Sequence, residues 1–296
     1  MENPEDFAQA GKLAARIREQ SKGLIRPGEQ LLEIAETIEQ WIQEEGMKPA
    51  FPVNLSIDDI AAHYTPTAND TTVIAENDVV KVDMGIEVDG ALSDTAYTVD
   101  LSGKHKTLVQ AAREALEEAV AHIKPGVGVG EIGGVIEQKI RSYGFKPISN
   151  LTGHLIQSNN LHAGVGLPNV KTNDRYTFKA GDIFAVEPFA TDGEGFVYDA
   201  DQVEIFSLME RRPTRQRQSR QLLQHIQENY PAQPFAERWL QKKFPSKMLL
   251  STALKELLAA QAIRAYPVLK ERGQGMVTQF EHTVLVEERG VKVLTR

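Results

Sequence analysis

Apolar positions at helical spacing open the chain. Phe7, Leu13, Ala14, Ile17 and Leu24 predict a helix from about Pro4 to Leu24, with Pro4, Glu5 and Asp6 as first-turn residues. Leu31, Leu32, Ile34, Ile38, Trp41 and Ile42 predict a second, from about Gly28 to Glu45, stopped by Gly46. A short β-like run follows around Phe51 to Leu55. Ser56, with Asp59 three residues on, reads as the cap of a helix of one or two turns, which places His63 where that helix gives way to a loop. Two β-rich runs, VVKVDMGI and ALSDTAYTV, are joined by Glu87-Val88-Asp89-Gly90, and Asp-Gly between such runs is a strong hairpin signal. A turn centred between Val88 and Asp89 sets Asp83 opposite Asp94. Like charges facing each other in a sheet repel, and a cation between them removes the objection.

Lys104 to Ile123 has the pattern of a long amphipathic helix, and Glu131 to Tyr143 that of another. The glycines of Pro125 to Gly130 follow a helix instead of a strand, so they read as a loop and not as a dinucleotide-binding turn. His154 and His162 are flanked by β-type residues, and even spacing on extended chain puts both rings on one face unless the Asn159-Asn160 pair breaks the run. Ile183 to Val186 is a fully apolar strand that ends in Glu187. The last segment predicts a hairpin turning at Glu287 to Gly290, with Glu281 on its first strand. Between these strands, Arg211, Arg212, Arg215, Arg217 and Arg220 read as a basic helical run, followed by helices around Phe235 to Lys242 and Ser251 to Ala262. We take this region, about 207–270, as a helical insertion within a single domain spanning 1–296 of α+β class.

Composition narrows the chemistry. A net charge of −8 argues against a general nucleic-acid binder, and the arginine run reads as a solvated face ahead of a contact with ribosomal RNA. There is no cysteine, so any metal must be held by Asp, Glu and His, which suits Mn, Co, Fe(II) or Zn. No apolar run approaches the roughly 20 residues that span a bilayer, and the acidic start MENPEDFAQ lacks signal-peptide features. The expectation is a cytoplasmic protein with no membrane partner, monomeric by default.

Asp83, Asp94, His154, Glu187 and Glu281 are all expected on strands, and none lies in a charge run. Four carboxylates can hold two divalent cations roughly 3.5–4 Å apart, with a water between them that becomes a nucleophile at neutral pH. This set, with the local motifs FPVNLSIDDIAAHYTP, KVDMGIEVDGALSDTA, GH followed by LHAG, EPFA and QFEHTVLV, resembles the methionine aminopeptidases, dinuclear-metal enzymes of the pita-bread fold. The resemblance covers essentially the whole chain. The long helix-filled interval between Glu187 and Glu281 resembles the type II subclass, and the lack of a long charged N-terminal extension resembles its archaeal form.

The resemblance implies removal of the initiator methionine from nascent polypeptides when the next residue is small, with transient ribosome contact. It implies that Asp83 chelates one metal, that Asp94 and Glu281 bridge, and that His154 and Glu187 hold the other. Glu187 would also shuttle the proton of the attacking water, and His63 and His162 would contact the scissile amide. Phe51, Leu161, Phe189 and Tyr266 match positions lining the methionine pocket. The chain departs from the family's pattern at Asn159, where an aromatic is expected, and at Asp58, where Asn is common. Two other readings share the fold: a catalytically inactive binding protein for RNA or a protein partner, and an Xaa-Pro aminopeptidase-like hydrolase. The latter usually carries a large extra N-terminal domain, whereas the first candidate segment here begins by residue 51.

Overall fold

The computed structural model describes residues 3–296. Helix α1 (Pro4–Ser21) starts where its residues favour a start: Asn3 accepts the Glu5 N–H through its side chain, and Pro4 occupies a first-turn position that needs no donor. Helix α2 (Leu31–Glu44) ends before Gly46, whose φ of 75° suits a residue without Cβ. The apolar faces of α1 and α2 pack on a sheet of three strands, in the order Asn54–Ile57, Val79–Met84, Thr95–Asp100.

A second layer repeats the scheme. Helices α3 (Lys106–His122) and α4 (Val129–Ser142) cover a five-stranded sheet in the order Gly166–Pro168, Thr152–Ile156, Ile183–Val186, His282–Glu287, Gly290–Val293. Helix α4 lies very close to the edge strand of this sheet: a Cβ on Gly133 would come within 2.8 Å of the Pro168 carbonyl oxygen and 2.2 Å of that of Val170 just beyond the strand, so only glycine permits the approach. Each fully buried aliphatic side chain contributes about 1.5–3 kcal/mol, so these two cores outweigh any local helix preference. All strand pairings among the described residues are antiparallel.

Three sequence expectations are corrected by the fold. The hairpin turn is Asp89-Gly90, with φ of 49° and 86°, one residue later than expected. Asp83 therefore faces Ala96 and not Asp94. Moving the turn by one residue moves every partner by two, so both carboxylates stay on the same face. The helix expected at Ser56 to Asp59 is absent: Asn54–Ile57 and Ile60–Ala62 are strands, joined by a turn at Asp58-Asp59 in which Asp58, at φ 50°, accepts the Val79 N–H. Paired aspartates here serve a turn, a role they fill as readily as a cap. His63 thus follows a strand. The basic run is not one helix: α5 (Arg217–Asn229) begins after Arg211, Arg212 and Arg215, and Pro213 disfavours helical backbone at Arg212.

Helices α5, α6 (Glu237–Gln241) and α7 (Lys247–Ala259) are carried on two long paired strands, Val197–Leu208 and Ile263–Glu271, which the polarity pattern did not reveal. Register shifts near Asp199 and Val203 interrupt the alternation that marks a strand.

Candidate metal centre

The five residues singled out from the sequence converge, although not by one device. Asp83 sits near the end of the strand Val79–Met84 and His154 within the strand Thr152–Ile156. Asp94, Glu187 and Glu281 are not on strands, contrary to expectation; each lies in a break between two. Glu187, for example, falls between Ile183–Val186 in the five-stranded sheet and Phe189–Thr191 in a separate three-stranded one. A chain that changes sheet leaves its ladder for a residue or two, and Pro188 cannot donate to one.

The backbone groups freed at these breaks are satisfied by side chains. Thr283 Oγ1 accepts the Asp94 N–H at 2.8 Å and donates to the Asp94 carbonyl at 2.7 Å. Thr95 Oγ1 donates to the Glu281 carbonyl at 2.9 Å, and Asn169 spans the Glu187 break, donating to the Glu187 carbonyl and accepting the Phe189 N–H. Buried backbone polar groups left without partners would loosen these positions.

His154 Nε2 lies 3.4 Å from Asp94 Oδ2 and 3.5 Å from Glu187 Oε1. Ligand atoms of Asp94, His154 and Glu281 are all within 4.8 Å of one another. Burial pushes the carboxyls of Asp83, Asp94, Glu187 and Glu281 up, Asp94 to about 7. The neighbouring carboxylates raise Asp83, Glu187 and Glu281 further. Burial also lowers His154 to about 4, so its ring is neutral and able to ligate. Asp83 Oδ1, Asp94 Oδ1 and Glu281 Oε1 are buried without a hydrogen-bond partner, and among the described residues no Lys or Arg lines the cavity they face. Carboxylates in such a place need a cation. The residues present fit divalent metal, with oxygen and imidazole donors of the type that hold Mn, Co, Fe(II) or Zn.

Two further histidines adjoin the centre. The His162 ring is 4.3 Å from that of His154 and 6.3 Å from that of Tyr266. The extended run expected between His154 and His162 is broken by a turn through Asn159, at φ 57°, and the returning chain brings Ala163 N–H to the Leu155 carbonyl. Burial lowers His162 to about 2 and also lowers His63. His63 Nδ1 is 3.1 Å from the Pro267 carbonyl, which can only accept. Nδ1 therefore carries the hydrogen and Nε2 is left as an acceptor.

Residues 5–288 match the description of metallopeptidase family M24. The chain belongs to that family. It is 47% identical over its full length to the methionine aminopeptidase of Methanocaldococcus jannaschii, covering 99% of that protein. Its architecture is similar to the structure of a thermophilic Arx1, with TM-score 0.86 and 16% identity over 98% of this chain and 89% of that one. It is also similar to the methionine aminopeptidase of Thermotoga maritima, with TM-score 0.72 and 21% identity over 99% and 98% of the two chains. The likeness to these two structures speaks to the fold, which is the pita-bread fold expected from the sequence.

In this M24 chain the centre opens into a cavity of about 230 Å³. All four residues expected to line a methionine pocket, Phe51, Leu161, Phe189 and Tyr266, line it. Asn54, Ile205 and Pro234 line it too and were not anticipated. A polar residue inside the apolar run FPVNLS was a usable signal for Asn54, which faces Asp83 across the sheet. Ile205 and Pro234 carried none, since only the folded insertion brings them there. Asn159, one of the two departures from the family's pattern, does not line the cavity. Among the described residues no helix is long and apolar enough to cross a membrane.

Proposed function

We propose that the chain hydrolyses the peptide bond after an N-terminal methionine, with two divalent cations held by Asp83, Asp94, His154, Glu187 and Glu281. The observation that carries this reading is the cluster of four carboxyls, Asp94 and Glu281 buried and Asp83 and Glu187 partly so, and one neutral imidazole, with no cationic side chain among them, beside a slot lined by apolar residues. Asp83, Asp94, His154, Glu187 and Glu281 would each supply a ligand atom to the cations. Bound cations would supply a nucleophilic hydroxide at neutral pH and polarise the scissile carbonyl.

The protein's own residues do the rest. Glu187 takes the proton that leaves the attacking water and returns it to the departing amine, so that water adds across the broken C–N bond. His63, fixed by the Pro267 carbonyl, offers Nε2 to the N–H of the scissile amide, and His162 faces the developing oxyanion. The slot formed by Phe51, Leu161, Phe189 and Tyr266 takes the unbranched thioether side chain.

The deciding assay strips the protein of metal and adds Mn, Co, Fe(II) or Zn singly in the presence of Met-Gly and Xaa-Pro peptides. Release of methionine with Xaa-Pro bonds left intact is the expected result. Cleavage of Xaa-Pro peptides instead would move the assignment to the proline-specific relatives, and no cleavage of either would favour a binding protein. In His63→Ala, turnover should fall about 10²–10³-fold while bound metal stays at the wild-type level; joint loss of metal and activity would mean that His63 is a ligand.

A further inference from the structure

The slot is lined from distant parts of the chain, by Phe51 and Asn54 of the body and by Pro234 of the insertion among others. These segments meet at a buried cluster centred on Glu39 of helix α2. Glu39 is 5% exposed and Arg238 4%. Glu39 Oε1 accepts the Val53 N–H at 3.2 Å and a hydrogen bond from Arg238 Nη2, while Oε2 accepts the Trp239 indole N–H at 2.8 Å. Arg238 Nη1 donates to Thr65 Oγ1 at 3.1 Å, and Thr65 Oγ1 donates in turn to the Val53 carbonyl at 2.8 Å.

Both backbone polar groups of Val53 are therefore tied into the cluster, between Phe51 and Asn54. Arg238 and Trp239, at the start of α6, tie in the segment that carries Pro234. Gln233 adds a second tie, donating to Glu87 Oε2 of the hairpin at 2.7 Å. Stability alone gives little reason for such a cluster, because replacing a buried ion pair by apolar residues of similar volume is often neutral or favourable. Directional, charge-assisted hydrogen bonds do something apolar packing does not: they fix the relative position of the groups they join.

We infer that Glu39, which lies outside the substrate slot, is a positioning residue that sets the slot's width by locking the insertion wall to the body wall, and so governs discrimination between methionine and other side chains. The inference rests on the methionine specificity proposed above. It predicts that binding selectivity, and not the chemical step, depends on this cluster.

The test is Glu39→Gln. An amide has one acceptor oxygen, so it cannot serve both the Val53/Arg238 side and Trp239. With the metal-loaded enzyme, KM for Met-Gly-Gly should rise about tenfold with kcat changed by less than about twofold, and the preference for Met-Gly-Gly over Leu-Gly-Gly in kcat/KM should fall by a similar factor. Trp239→Phe removes one donor and keeps an aromatic ring, so it should move the same ratio in the same direction by about threefold; it decides the matter should Glu39→Gln fail to fold. An unchanged Met-to-Leu ratio in a folded variant, whatever its Tm, overturns the inference, as does an equal loss of kcat on both peptides. A wild-type protein that releases no methionine overturns the proposed function and this inference with it.

Discussion

Asp94→Asn should reduce methionine release by roughly 10³-fold or more, equivalent to about 4 kcal/mol of transition-state stabilisation, and should weaken metal binding at the same time. The substitution is nearly isosteric, and the hydrogen bonds that hold residue 94 in its strand break join its backbone N–H and carbonyl, not its side chain, to Thr283 Oγ1. Folding should therefore survive. What is lost is one negative charge at the point where His154 and Glu281 also converge. Measurement of metal content alongside turnover separates the possible outcomes. Wild-type activity in the variant once metal is restored would remove Asp94 from the centre and undo the proposed ligand set.

Metal loading should depend steeply on pH, with the protein's stability following it. In the metal-free chain the Asp94 carboxyl is raised by burial to about 7, from an ordinary value near 3.8. Asp83, Glu187 and Glu281 are raised as well, by burial and by one another. A carboxyl whose pKa is higher in the folded state binds protons more tightly there than in the unfolded chain. Stability of the metal-free protein from this site is thus present at low pH and lost as pH rises from about 4 through about 7. Cations reverse that loss by taking the place of protons. Below pH of about 7 the apparent affinity for metal should fall roughly tenfold per pH unit for each proton displaced. Calorimetric titration with Mn at pH 6 in two buffers of different ionisation enthalpy should register proton release, and the rise in Tm on adding metal should be larger at pH 8 than at pH 5. The absence of proton release would mean that the carboxyls are already ionised and otherwise compensated.

Particular residues show what could be read without the fold. The apolar stripes of α1 to α4 announced themselves at helical spacing, and those helices lie within a few residues of where the pattern puts them. Asp83, Asp94, Glu187 and Glu281 stood out because each interrupts or ends an apolar β-rich run, and a carboxylate there must meet a cation. That reasoning depends on local polarity alone, so the wrong hairpin register and the wrong assignment of three of these residues to strands did not disturb it. The Ser56-to-Asp59 helix failed because Asp58 and Asp59 serve a turn as well as a cap, and only the pairing of Asn54–Ile57 with Val79–Met84 decides between them.

Local patterning by itself determined the helices, the hairpin and the chemical character of the centre, since hydrophobic period and the cost of burying a charge act over a few neighbouring residues. The tertiary structure alone decided where the strands break to aim Asp94, Glu187 and Glu281, that Ile205 and Pro234 line the slot, and that Glu39 meets Arg238 and Trp239 of the insertion. Those features join residues as much as two hundred positions apart, such as Glu39 and Trp239. Contacts of that span are set by how the layers pack, and no neighbour in the chain records them.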